Sequence, residues 1–431
     1  MRLWIRNGRV IDPGNKIDAV QDVWIEGGRI AAVGVGPDGF AADRTIDADG
    51  LVVCPGLIDL GARLREPGEE HKATIASETA AAAAAGITTL VTPPDTDPVI
   101  DTPAVASLIQ QRAQAAGRAR VLTLGALTQG LQGTQLSEMG ALKAAGCVGI
   151  GNALQPVANS LVLRRAMEYA ATHDLIVFLC ADDPALSNRG CVHEGQVGSR
   201  LGLPGIPEAA ETVAVARDLA LVHQTGVRAH FCRLSTAQAV RMVARAQFDG
   251  LPVSADVSAH LLHLTEIDVG DFDGQCHVLP PLRTQRDRDA LRTALAKGTL
   301  AAVCSDHQPH EADAKLAPFA ATAPGISALE TLLPLSLRLV HEGVMSLPEV
   351  IARLTHRPAQ VLDLDLGTLS VGATADVCLI DPAREWELRA DDMVSRGRNT
   401  PFVGWQFKGR AVTTIYNGRV VHESEAAQRE Q

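Results

Sequence analysis

Aromatic residues are scarce, at 3% of the 431 residues. That is too few to build stacking platforms for single-stranded nucleic acid. Positive charge is in deficit as well: 39 Lys and Arg against 50 Asp and Glu leave a formal charge of −11. Non-specific nucleic-acid binding needs a basic face. No apolar run reaches the roughly 18 residues needed to span a bilayer. The opening Met1-Arg2-Leu3-Trp4-Ile5 runs straight into strand-like sequence, without the apolar centre of a secretion signal. Eight cysteines, at 54, 147, 180, 191, 232, 276, 304 and 378, form no CxxC pair, which suggests neither a zinc ribbon nor a disulfide scaffold. Together these absences predict a cytoplasmic protein with reduced thiols and no membrane or nucleic-acid partner.

What is present is enough chain for a large core, with 46% hydrophobic residues. At about 150 residues per domain the length suggests roughly three, although a barrel uses ~250 in one unit. The two ends resemble each other. Asn7-Gly8, Gly27-Gly28 and Asn417-Gly418 each sit between short β-rich runs and read as two-residue hairpin turns. Residues 1–51 and 369–431 are therefore expected to form one small β-sandwich domain, interrupted by the middle of the chain. In the middle, 52–368, apolar strands at 51–60, 87–93, 121–127, 147–151, 175–180, 228–234, 252–258 and 301–305 alternate with helical stretches. The run Ala80 to Ala85 is the plainest helix former. Eight such units predict an α/β fold with a (β/α)8 TIM-type barrel. Leu175 to Leu179 is apolar throughout, as a strand buried on both faces should be. Chemistry in such a barrel sits at the C-terminal strand ends.

The strand ends carry recognisable sequence. Pro55-Gly56-Leu57-Ile58-Asp59 leads into Gly61, Arg63, Arg65 and Pro67-Gly68. Later come Pro94-Asp95-Thr96-Asp97-Pro98, Pro280-Pro281-Leu282-Arg283, Ser305-Asp306-His307-Gln308-Pro309-His310, Ala375-Asp376 and Arg398-Asn399-Thr400-Pro401. In order and over nearly the whole chain, this set resembles the dihydroorotases of the amidohydrolase superfamily. Their matching patterns are D-x-H-x-H-x-R-x-P-G, P-N-T-x-P, N-P-P-L-R and T-D-H-x-P-H.

That resemblance implies metal ligands at six positions. Two histidines are expected on the first strand, where Gly61 and Arg63 stand. A bridging carboxylate is expected after the fourth, where Asn152 stands. Histidines are expected on the fifth and sixth, where Leu179 and Arg233 stand. Only Asp306, the base position, is retained. A catalytic zinc needs about three protein ligands plus an open position, and one aspartate cannot supply them. Arginine cannot lose its proton to bind a metal. Two unit charges at ~4 Å interact by about 4 kcal/mol at an effective dielectric of ~20, and the repulsion doubles against a dication. No catalytic zinc is expected, and without one no activated hydroxide forms.

The implied substrate pocket also departs from the pattern. Asp95 replaces an asparagine that faces a substrate carboxylate, and like charges repel. Leu279 replaces another asparagine, while Arg65 and His260 remain. Asp306 is expected to pair with Arg63 or Arg233, since an unpaired buried charge is costly. His307 and His310 read as loop histidines, and His260 and His263 as core or rim. Cys180, Cys232 and Cys304 read as small buried hydrophobes. Strand alternation turns the first two outward if Leu179 and Arg233 face in.

Two readings of different class follow. In the first, the chain is a non-catalytic protein that resembles the pseudo-dihydroorotases some bacteria keep as partners of aspartate transcarbamoylase. It would then scaffold that enzyme's catalytic chain in a homo- and hetero-oligomer of pyrimidine biosynthesis. In the second, it is a working cyclic amidohydrolase that opens dihydroorotate to N-carbamoyl-aspartate with an unusual metal set. A small-molecule sensor that uses the old pocket is a lesser third.

Overall fold

A computed structural model describes residues 1–424. Eight parallel strands lie side by side in chain order: Leu57–Asp59, Ile87–Thr92, Arg120–Ala126, Gly149–Gly151, Val177–Cys180, Ala229–Cys232, Val253–Ser258 and Ala302–Cys304. The major helices between them include Ile75–Ala84, Pro103–Ala116, Ser160–Thr172, Glu208–Thr225, Ala237–Phe248 and Gln285–Lys297. This is the expected barrel. Its strands are mostly buried on both faces because both faces are covered. Ile58, Leu60, Val91, Leu124, Phe178 and Cys304 fill the inside. Leu57, Leu90, Val177, Leu179 and Phe231 pack outward against helix residues such as Ile109, Met167 and Val215.

The first helix shows how local sequence sets an element. Thr74 and Ser77 form a reciprocal capping box at its start, which satisfies backbone N–H groups that the first turn leaves free. The alanine run then packs against the barrel with no large side chain to hold it away, and Ala81, Ala82 and Ala83 are all buried.

The eighth strand does not pair with the first in a regular ladder. They are joined just beyond their ends, at the barrel mouth. The Arg63 N–H donates to the His307 carbonyl at 2.9 Å, and the His307 N–H donates to the Gly61 carbonyl at 3.2 Å. The buried Asp59 carboxylate accepts from the Ser305 N–H at 2.9 Å and the Gly61 N–H at 3.2 Å. It also accepts from the Ser305 hydroxyl. Closure therefore runs through the same segments that carry Gly61, Arg63 and Asp306.

Strands from both chain ends form a second, eight-stranded sheet. Arg2–Asp12 lies at its centre, antiparallel to Ile17–Glu26 on one edge. Its other edge is shared between Arg44–Asp47 and Val52–Pro55. The sheet thus splits into two halves that close on one core containing Leu3, Ile25, Val53, Val377 and Ile415.

Two expectations from sequence are corrected here. Gly27-Gly28 and Asn417-Gly418 do turn hairpins, between Glu26 and Arg29 and between Tyr416 and Arg419. Asn7-Gly8 does not. It is a bulge inside a continuous strand, where the register shifts between Ile5 and Gly8. Asn7 takes the left-handed conformation, φ 63°, and a Cβ on Gly8 would lie 2.4 Å from Val53. Close approach of a neighbouring strand selects that glycine, as a bulge position often does. The single strand expected over 51–60 is two. Val52–Pro55 pairs with the end sheet, and Leu57–Asp59 opens the barrel.

Candidate functional site

The barrel mouth gathers Arg63, Arg233, Asp95 and Asp306. Asp306 follows the eighth strand with φ 49° and Arg233 follows the sixth with φ 53°. A left-handed residue breaks the in-out alternation of a strand, so both side chains swing into the mouth. The Arg233 N–H is fixed by the Asp256 carboxylate. Asp256 also meets His230 Nε2 at 3.0 Å, and His230 Nδ1 lies 2.7 Å from the Ser254 hydroxyl.

Arg63 donates from Nε to Asp95 at 2.8 Å, and its Nη1 lies 3.6 Å from an Asp306 carboxylate oxygen. Arg233 Nε lies 3.6 Å from the same oxygen. The expected pairing of Asp306 is thus made with both arginines at once. All three side chains are nearly dry, at 6%, 8% and 2% exposure. At 3.6 Å these contacts are ionic rather than hydrogen-bonded. Arg63 Nη2 and Arg233 Nε have no hydrogen-bond partner. Burial raises the Asp306 pKa, and the two guanidinium groups oppose the rise.

The remaining implied metal positions do other work. A Cβ on Gly61 would meet nothing within 4 Å, so the position is open, but glycine offers no donor. Asn152 is spent on a loop. Its carbonyl oxygen accepts from the Thr128 N–H and hydroxyl, and its amide donates to the Leu131 and Gln155 carbonyls. Leu179 is not in the mouth, which corrects the assumption that it faces in. It packs outward with Val177 and Phe231, while Phe178 lies in the barrel's inner cluster. Cys180 and Cys232 are corrected with it. They are paired across neighbouring strands, and both line a cavity of ≈ 150 Å³ together with Asp182, Arg189, Arg233 and Leu279. Burial pushes the Cys180 thiol up to about 11 and Cys232 also well above its ordinary range, so neither is a ready thiolate.

The retained pocket positions are similarly engaged. Arg65 donates to the Pro309 carbonyl at 3.0 Å and to Glu69 at 2.9 Å, and its third nitrogen lies 3.2 Å from His310 Nε2. His260 is 2% exposed and neither ring nitrogen has a partner. Burial and the nearby Arg233 lower its pKa to about 3. His263 lies 2.8 Å from the Leu335 carbonyl.

His307 is more than a loop residue. Its Nδ1 accepts from the Ala328 N–H at 3.0 Å, which leaves Nε2–H to donate to the buried Glu78 at 2.8 Å. Glu78 also accepts from the Ser395 hydroxyl. This His307–Glu78 pair ties the eighth strand to the first helix. Sequence reading missed it because the partners are 229 residues apart. Glu78 sits in the first turn of its helix, and its charge two residues before an alanine run was the available signal.

These residues do not fit a catalytic zinc. The mouth supplies two cations, and its retained carboxylate already faces both. Among the described residues no three His, Cys, Asp or Glu side chains are grouped to hold a metal ion. Restoring two ligands should not change that. Gly61→His with Arg63→His is expected to bind no stoichiometric zinc, because Asn152 and Arg233 still contribute nothing and Cys180, which faces the cavity where Leu179 does not, is kept protonated by burial. Metal analysis of the purified double variant checks this, and about one zinc per chain would contradict it.

A family model described as dihydro-orotase-like matches residues 50–239. A "Dihydroorotase-like protein" of Pseudomonas aeruginosa is 52% identical over 423 residues, covering 98% of this chain and 100% of that protein. A "Dihydroorotase" of Geobacter sp. strain M21 is 44% identical over 427 residues, with 98% and 100% covered. Among solved structures, an L-hydantoinase (dihydropyrimidinase) from Arthrobacter aurescens superposes with a TM-score of 0.87 at 23% identity, covering 98% of this chain and 96% of that one. That likeness speaks to the fold. No helix among the described residues is long and apolar enough to cross a membrane.

Proposed function

The chain belongs to the dihydroorotase-like family, and within it we propose a non-catalytic member that acts as an assembly subunit of aspartate transcarbamoylase in pyrimidine biosynthesis. One observation carries the loss of catalysis: Asp306 is held between Arg63 and Arg233 at 3.6 Å from each. A general base must be free to take a proton from the attacking water. Here the carboxylate is the counter-ion of two buried cations, and those cations stand where the family places metal ligands. The fold is complete while the site is rebuilt, as expected when selection retains a shape for assembly rather than for chemistry.

The choice of partner rests on resemblance, and co-expression tests it. Produced together with the aspartate transcarbamoylase chain of the same organism, the protein is expected to co-elute as one mixed complex whose carbamoyl transfer depends on it. Two separate peaks and an indifferent transcarbamoylase would remove the partner.

A second reading is favoured by one specific observation: relatives 42–45% identical carry the name dihydroorotase. On that reading the chain opens dihydroorotate with an unusual metal set. Turnover abolished by a chelator and restored by zinc would establish it.

A further inference from the structure

A second cavity, ≈ 390 Å³, opens beside the barrel mouth. Its walls include Lys72, Lys315, Arg396 and Arg398, with Glu311 as the one carboxylate among its lining residues. Four cations in one groove are unexpected in a chain of net charge −11. Two of them already have acidic partners: Lys72 with Glu69 at 2.5 Å, and Arg398 with Asp391 at 3.5 Å.

The other two do not. Lys315 is 8% exposed, and its ammonium reaches only the His277 carbonyl, at 3.3 Å. Arg396 is exposed and donates to the Glu70 carbonyl at 2.8 Å. Neither has a carboxylate within ion-pair distance among the described residues. A buried ammonium without a counter-ion is costly, and burial lowers the Lys315 pKa to about 8. His310, itself 7% exposed, adds an unpartnered Nδ1 to the same wall. Arg65 meets His310 but is not part of the groove's lining.

We infer that this groove binds a small, multiply charged phosphate compound, with Lys315 and Arg396 as its principal contacts. A guanidinium fork offers paired donors that match phosphate oxygens, and an ammonium supplies a compact point charge. The volume falls in the range of small-ligand pockets. Such a ligand would supply the direct counter-ion that neither side chain has, Lys315 being offset only at longer range by Asp273.

Calorimetric titration of the full chain with inorganic pyrophosphate, at about 50 mM salt, tests this. Saturable binding near one equivalent is expected. Arg396→Ala and Lys315→Met should each weaken it at least tenfold. Arg245→Ala, on the remote surface of helix Ala237–Phe248, should leave it unchanged. Arg396 is exposed, so its variant remains informative if Lys315→Met fails to fold. A nucleoside diphosphate that binds tenfold tighter than pyrophosphate would identify a nucleotide site. Equal affinity would mean that the diphosphate group alone is read. Absence of binding, or equal weakening by Arg245→Ala, would overturn the inference.

Discussion

Replacing Asp306 by alanine is expected to destabilise the protein by about 3–5 kcal/mol, the usual consequence of removing one partner from a buried charge cluster. Asp306 is the carboxylate that faces both Arg63 and Arg233. Without it, Arg233 loses the one carboxylate within ion-pair distance of it among the described residues, while Arg63 keeps Asp95. Two guanidinium groups would then face each other in a site nearly closed to water. Asp306→Asn should be almost as harmful, because the amide keeps the shape and loses the charge.

The cluster's own net contribution is a different quantity. Converting it to uncharged residues together, as Arg63→Met with Arg233→Met, Asp306→Leu and Asp95→Asn (the partner of Arg63), should fall near neutral or stabilise by about 1–4 kcal/mol. Denaturant unfolding of the single and fourfold variants separates the two. A single Asp306→Ala variant within ~0.5 kcal/mol of the parent would mean that the three charges are not coupled.

Acid should unfold the protein by an equally large route. Burial lowers the pKa of His260 and His310 to about 3, and of His263 and His277 to about 4. The unfolded chain titrates histidine near ~6.5. Between about pH 6.5 and 4 the unfolded state therefore binds protons that the folded state refuses. Stability falls with pH at about 1.4 kcal/mol per unit for each such imidazole. At pH 5 each would have removed roughly 2 kcal/mol.

Asp218 works the other way. Burial raises its pKa to about 6, so the folded state binds its proton first, and its contribution grows as pH falls from 6 towards ~4. Burial raises Asp59, Asp182, Glu211, Glu266, Asp306 and Glu330 in the same sense, each by less than the large shifts of the four imidazoles, which therefore set the slope between pH 7 and 5. Unfolding midpoints in urea should drop steeply from pH 7 to 5, and His263→Gln should flatten that slope. A flat profile over this range would contradict the assignment of buried, neutral histidines.

The barrel was legible because its strands are bounded apolar runs, and all eight fall within a few residues of where the pattern put them. The end sheet was legible where Gly-Gly and Asn-Gly turn a hairpin. It was misread at Asn7-Gly8, because a bulge and a tight turn use the same left-handed chemistry. Only the neighbouring Val53 decides between them. In the site, the ordered motifs pointed to strand ends whose Arg63, Asp95, Arg233 and Asp306 side chains the fold brings together, and residue chemistry argued against Gly61 and Arg63 as ligands. The side to which Leu179 points was not legible. It depends on the phase of a four-residue strand, and the neighbouring strand is no guide to it, because Arg233 leaves that strand's alternation with a positive φ. The His307–Glu78 pair was hidden for a related reason, since sequence separation says nothing about which helix covers which strand end.

The most direct test of a non-catalytic mouth is dihydroorotate ring opening by the purified chain, assayed with and without added zinc while bound metal is counted. The expected result is no turnover above buffer at any zinc concentration and well below one equivalent bound. About one zinc per chain, with turnover that a chelator removes, would contradict the account. It would mean that Asp306 is released from Arg63 and Arg233 when a metal arrives.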